Sequence, residues 1–124
     1  MSGWHDLRFI DSVVEKGTIG AYILSRGGDC PNYYVGRSDN DIGERLHDYQ
    51  NSYYNYFRFT PANSPTSAYY YECYWYHKYK DSPEYILDNK CHPDAPDGSY
   101  LSCPVCGLSS QNPFFEALTG RLRR

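Results

Sequence analysis

The chain lacks any run of apolar residues long enough to cross a membrane. Its first ten residues carry Asp6 and Arg8 and hold no apolar core of the kind a secretory signal needs. It also lacks a basic excess: twelve Lys and Arg stand against fifteen Asp and Glu, for a net charge of −3. A protein that held nucleic acid by charge alone would show the opposite balance. An acidic total still leaves room for a local basic face. Even cysteine pairing is missing, since there are five, which disfavours a closed disulfide framework and makes metal binding the better expectation for those that cluster. These absences point to a cytoplasmic chain with no membrane partner. Pro and Gly show no periodic or low-complexity pattern, and no internal repeat is present.

What the chain has is tyrosine, fifteen in 124 residues. A small core built from Tyr needs hydroxyls that reach water or a partner, so many rings are expected at the rim. At 124 residues the length suits one domain. Residues 1–16 read as a lead-in, 17–92 as the folded unit and 93–124 as an irregular tail ending in Arg121, Arg123 and Arg124.

Thr18-Ile19-Gly20-Ala21-Tyr22-Ile23-Leu24 is rich in strand formers, and Arg26-Gly27-Gly28-Asp29 supplies a turn before a second strand around Tyr33-Tyr34-Val35. Ser38 to Asp41 offers helix caps, and Ile42, Leu46 and Tyr49 then repeat at helical spacing. A third strand is expected within 53–60. Asn63-Ser64-Pro65 predicts a helix start, and Asp81-Ser82-Pro83 its stop near Lys80. The expected fold is α+β: a three-stranded antiparallel sheet flanked by helices, with a metal-stapled C-terminal loop.

Five short features fall in order along these elements: Gly20-Ala21-Tyr22 on the first strand, Tyr34-Val35-Gly36 on the second, Arg45 on the first helix, Glu72 on the second, and Asn89 in the loop after it. Taken singly, each is an ordinary strand, helix or turn residue. As an ordered set over residues 17–92 they resemble the GIY-YIG nuclease family. The resemblance implies a Mg²⁺-dependent endonuclease acting on DNA, with Glu72 holding the Mg²⁺, Arg45 facing the scissile phosphate, Tyr22 as general base and Tyr34 orienting water or phosphate. A phenol serves as a base near neutral pH only when cations lower its pKa; Mg²⁺ and Arg37 are the expected ones. Asn89 holds the second helix to the site or binds phosphate. Arg37 and Tyr49 are expected substrate contacts. The stretch from Tyr34 to Arg45 is one residue longer than the family spacing, and the loop 38–41 is where the extra residue fits. Recognition in this family usually comes from an additional domain, so a partner protein is the expected source of specificity.

Cys103-Pro104-Val105-Cys106-Gly107 has the spacing of a zinc knuckle, in which a short turn aims two thiolates at one ion. A tetrahedral Zn²⁺ needs two more ligands. Cys73 and His77, four apart on one helix, project from one face and are the first expectation. Cys91 and His92 compete, and as neighbours only one of them reaches an ion. A GIY-YIG subgroup carries a similar C-terminal cluster. Cys30 is read as a free thiol, and His47 as a surface residue. Two other functions fit the same residues: a non-catalytic, zinc-stabilised nucleic-acid- or protein-binding module, and a zinc enzyme with an open site on Cys91, His92 and the knuckle.

Overall fold

A computed structural model describes residues 1–106; Gly107 and the basic tail lie outside the described residues. The fold is mixed α+β, with a five-stranded sheet flanked by helices. In chain order the elements are β1 (His5–Asp6), a 3-10 turn (Leu7–Phe9), α1 (Ile10–Val13), β2 (Gly20–Ser25), β3 (Asn32–Ser38), α2 (Ile42–His47), β4 (Tyr56–Pro61), α3 (Pro65–Lys80) and β5 (Ile86–Leu87). The sheet runs β1-β4-β2-β3-β5. All neighbours are antiparallel except β3 and β5.

The three expected strands form the centre, and two short edge strands extend it to five. Both extensions rest on backbone pairing between segments far apart in the chain. The Leu7 amide donates to the Asn55 carbonyl and holds the amino-terminal segment on β4 (2.9 Å). Residues 1–16 are more than a lead-in, because Leu7, Ile10 and Val14 are buried in the main core. On the other edge Asn32 and Tyr33 pair with Ile86 and Leu87.

Both faces of the sheet are covered, which is why β2 is buried along its whole length. Tyr22 and Leu24 pack with Ile10, Ile42, Leu46 and Phe57 on the α1/α2 side. Ile23 and Val35 pack with Tyr79 on the α3 side. The caps read from the sequence do their work. Asp41 accepts from the Gly43 and Glu44 amides at the start of α2, and Ser64 accepts from the Ser67 amide at the start of α3. Tyrosines divide between roles: Tyr22, Tyr69, Tyr76 and Tyr79 are buried, while Tyr53, Tyr71 and Tyr100 are exposed. His47 bridges helices, its ring meeting Asp11 Oδ1 at 2.8 Å.

The glycines of the two strand motifs have steric reasons. Gly36 faces Tyr22 across the β2–β3 ladder, and a Cβ there would fall inside the Tyr22 ring. A Cβ on Gly20 would collide with the Thr60 carbonyl of β4. Because Tyr22 is only 2% exposed, it has nowhere to swing. Gly36→Ala is therefore expected to cost about 1–3 kcal/mol by overpacking, read as a lower urea midpoint with an unchanged slope. A midpoint equal to the parent's would mean the ring is not confined.

Candidate functional site

Two groups of side chains stand out. One gathers where β3 loses its outer neighbour. β5 pairs with only the first two residues of β3, and the Asn89 side chain takes over at Val35. The Val35 amide donates to Asn89 Oδ1 (2.9 Å), and Asn89 Nδ2 donates to the Val35 carbonyl (2.7 Å). Asn89 thus imitates one more strand residue. This differs from the expected roles of bracing the second helix or binding phosphate, because its amide is spent on β3 backbone. Beyond it, Gly36 to Ser38 have no strand on their outer side among the described residues. At this open edge the two faces of the sheet come within reach of each other.

From the α2 side come the phenols. Tyr22, Tyr34 and Tyr49 form a ring cluster, with centroids 6.2 Å apart for Tyr22–Tyr49 and 5.9 Å for Tyr34–Tyr49. Tyr49 packs against both of the others and raises the pKa of each. Burial pushes the Tyr22 phenol well above its ordinary pKa, its tyrosine neighbours add to this, and Arg45 opposes it weakly. The Tyr34 phenol is pushed up to about 12 by burial, then by Tyr49 and by the charge of Glu72, again with Arg45 pulling the other way. Among the chain's own groups burial outweighs the one cation acting on Tyr22, which is Arg45 rather than Arg37.

From the α3 side comes Glu72. Its side chain is only 12% exposed, and Arg37 Nη1 donates to its Oε1 at 2.8 Å. Burial raises the Glu72 carboxyl to about 7, with Arg37 opposing the rise. The two effects pull in opposite directions, and the desolvation of a nearly enclosed carboxylate dominates.

Arg37 is fully engaged. Nε and Nη2 donate to the two Asp39 oxygens (2.8 and 3.2 Å), and Nη1 also donates to the Asp94 carbonyl (2.6 Å). Its guanidinium lies over the Tyr69 ring at 5.4 Å. Arg45, by contrast, is exposed and forms no ion pair with any described residue. Arg37 and Arg45 line one cleft of about 360 Å³, whose other walls include Asp39, Asp41, Glu44 and Asp48. In the loop before α2, Ser38 Oγ accepts from the Asn40 and Asp41 amides. Arg45 keeps its influence on both phenols.

The second group is a cluster of two histidines and two cysteines that can hold a metal ion. The ligand atoms of His77, His92, Cys103 and Cys106 all lie within 4.8 Å of one another. His77 Nε2 is 3.2 Å from His92 Nε2, 3.1 Å from Cys106 Sγ and 3.5 Å from Cys103 Sγ, and Cys106 Sγ is 3.5 Å from His92 Nε2. One imidazole nitrogen cannot satisfy three such partners with a single proton. Ligands about 2.0–2.3 Å from a tetrahedral ion sit roughly 3.3–3.8 Å apart, and these edges are close to that range. His92 Nδ1 lies 2.8 Å from the Pro93 carbonyl, a contact that fixes the ring and its tautomer.

The structure gives the fourth position to His92, where the sequence pointed first to Cys73. Cys73 is completely buried and packs with Cys103, whose sulfur keeps the Cys73 thiol far above its ordinary pKa. The same contact, with help from His77 and the Cys106 and Val105 amides, draws Cys103 down to about 3. Cys73 therefore supports a ligating thiolate. Cys91 is exposed and borders a separate cleft with Tyr34, Tyr49, Tyr54 and Lys90. The cluster has four protein groups, which leaves no open position of the kind a catalytic zinc keeps.

No family model, no curated protein and no solved structure matches the chain. No helix among the described residues is long and apolar enough to cross a membrane.

Proposed function

We propose that the chain is a Mg²⁺-dependent nuclease of the GIY-YIG type that hydrolyses DNA phosphodiester bonds, with structural Zn²⁺ on His77, His92, Cys103 and Cys106. The observation that carries this reading is geometric: Arg37 Nη1 holds Glu72 of α3 at 2.8 Å, and Arg37 lines one cleft with Arg45 of α2, while the charges of Arg45 and Glu72 both act on the Tyr34 phenol. Two helices on opposite faces of the sheet contribute to one neighbourhood.

The residues fit a hard divalent cation. Glu72 is an under-solvated carboxylate, as its raised pKa records, and its Oε2 has no hydrogen bond or ion pair with any described residue. A divalent cation restores the stabilisation that burial removes, and Mg²⁺ beside a phosphate takes only one or two protein carboxylates. When bound, Mg²⁺ supplies charge neutralisation at the phosphate and activation of water.

The remaining work belongs to the chain. Arg45, exposed and unpaired in the cleft, offers a planar, permanently charged donor set to a phosphate. Tyr34 donates a hydrogen bond to a phosphate oxygen or an attacking water. Tyr22, its phenol raised by burial, packs its ring on Tyr49, which packs on Tyr34, and this reading gives it a positioning role in place of the general base. The acidic wall of the cleft repels bare phosphate, which makes binding dependent on the divalent ion.

In-line attack by water at phosphorus is expected to leave 5′-phosphate and 3′-hydroxyl ends. A ligase sealing test on plasmid nicked by the chain reads this directly. Nicks that seal without kinase treatment fit the proposal, and 5′-hydroxyl ends would contradict it.

A further inference from the structure

Among the described residues Arg37 is the most constrained cation, and the resemblance to the nuclease family gives it a phosphate to bind. Its contacts point elsewhere. Three nitrogens make four hydrogen bonds: Nε and Nη2 to the Asp39 carboxylate, and Nη1 to both Glu72 Oε1 and the Asp94 carbonyl. Tyr69 covers the guanidinium plane, and the side chain is 13% exposed. A phosphate would have to break this set to reach it.

The three acceptors come from separate parts of the chain. Asp39 follows β3, Glu72 lies on α3, and Asp94 lies two residues beyond the metal-cluster histidine His92. The segment from His92 to Cys106 is tied to α3 at its two ends, through His92 and through the Cys103 and Cys106 thiolates against His77. Asp94 sits inside that tied loop. Cys103 also packs against α3 in one buried cluster with Cys73, the residue next to Glu72.

We infer that Arg37 is a positioning residue for Glu72, and that it joins Glu72 to the loop pinned by the His77–His92–Cys103–Cys106 cluster. The inference rests on the nuclease reading and deepens it: metal at the cluster holds the Asp94 carbonyl on Nη1, and Nη1 holds the carboxylate. Partners that orient a metal-holding group typically change metal affinity or activity by about 10–100-fold when lost.

The two roles for Arg37 predict different results. A positioning fork needs the planar guanidinium, because an ammonium cannot span Asp39, Glu72 and the Asp94 carbonyl together. A phosphate contact needs only the charge, so lysine would largely restore it. Each phosphate contact also contributes about one unit to the salt slope of duplex binding.

The test uses the full chain loaded with zinc, in four versions: parent, Arg37→Lys, Arg37→Met and Asp39→Asn. Duplex binding is followed by fluorescence anisotropy of a labelled oligonucleotide in Ca²⁺ over a range of salt. The half-saturating Mg²⁺ concentration is read from plasmid nicking. Folding of each variant is checked by thermal unfolding, and Asp39→Asn, which leaves the guanidinium in place, guards against collapse of the other two. The expected result is an unchanged salt slope in all four, with half-saturating Mg²⁺ raised about 10–100-fold in Arg37→Lys as much as in Arg37→Met, and shifted in the same direction in Asp39→Asn. Stripping the cluster metal from the parent should give the same shift, and stripping it from Arg37→Lys should add little. A salt slope about one unit smaller in Arg37→Met, with lysine restoring the parent Mg²⁺ response, would overturn the inference while leaving the nuclease reading intact. Absence of nicking in the parent would remove both.

Discussion

Replacing Glu72 with alanine is expected to lower Mg²⁺-dependent nicking of a supercoiled plasmid by at least about 100-fold, the range seen when one preorganised electrostatic partner of a transition state is lost. Duplex binding in Mg²⁺ should weaken as well, because the acidic wall of the cleft makes it depend on the ion that Glu72 holds. The argument starts from burial. Glu72 is held in a nearly enclosed position between Arg37 and the loop at Asp94, and its carboxyl is raised to about 7. A carboxylate kept there against its solvation preference is costly unless a cation compensates. The same shift sets a pH dependence. The ionised form that holds Mg²⁺ grows as pH rises through about 7, so at low Mg²⁺ nicking should fall as pH drops through that value. Saturating Mg²⁺ binds the ionised form and should move the midpoint down. Nicking of Glu72→Ala at the parent rate would remove Glu72 from the chemistry.

The second large effect concerns the His/Cys cluster. Purified chain is expected to carry one zinc per molecule, retained in Cys73→Ser and lost in Cys103→Ser and in His92→Ala. Chelation should lower the unfolding temperature by more than about 10 °C, since a site that binds zinc at a thousandfold excess over its dissociation constant contributes about 4 kcal/mol. The pattern across variants matters more than the magnitude. Cys73 and His92 are the two residues that compete for the fourth position, and they separate a ligand from a thiol that packs against one. Loss of zinc in Cys73→Ser with retention in His92→Ala would reverse the assignment made from the geometry.

Much of the fold is legible in the sequence where one residue type does one local job. Ser64-Pro65 starts α3, Asp41 caps α2, and the Gly27-Gly28 turn separates β2 from β3. The two-residue edge strands were not legible, because two residues carry no alternation. They exist through backbone bonds to distant partners, such as Leu7 to Asn55. The site divides the same way. Tyr22, Tyr34, Arg45 and Glu72 enter the proposed site by their order along the chain, which needs no knowledge of packing. Helix spacing put Cys73 and His77 on one face, yet it could not say that Cys73 lies too deep while His92 folds back to the cluster. Arg37 has only Asp39, two residues on, as a local sign of its engagement, because its other acceptors stand 35 and 57 residues away. Asn89 was singled out, but its work on Val35 depends on β5 lying alongside β3. The motif glycines offered a readable signal that went unused: Gly36 opposite Tyr22 is what a ring folded across a ladder requires.

Relaxation of a supercoiled plasmid by zinc-loaded chain, as a function of Mg²⁺ alone, is the most direct test of whether the Tyr34–Arg45–Glu72 neighbourhood cuts DNA. Open circles that accumulate with time and scale with Mg²⁺ are the predicted result. A folded, zinc-replete chain that leaves the plasmid supercoiled at every Mg²⁺ concentration would contradict it.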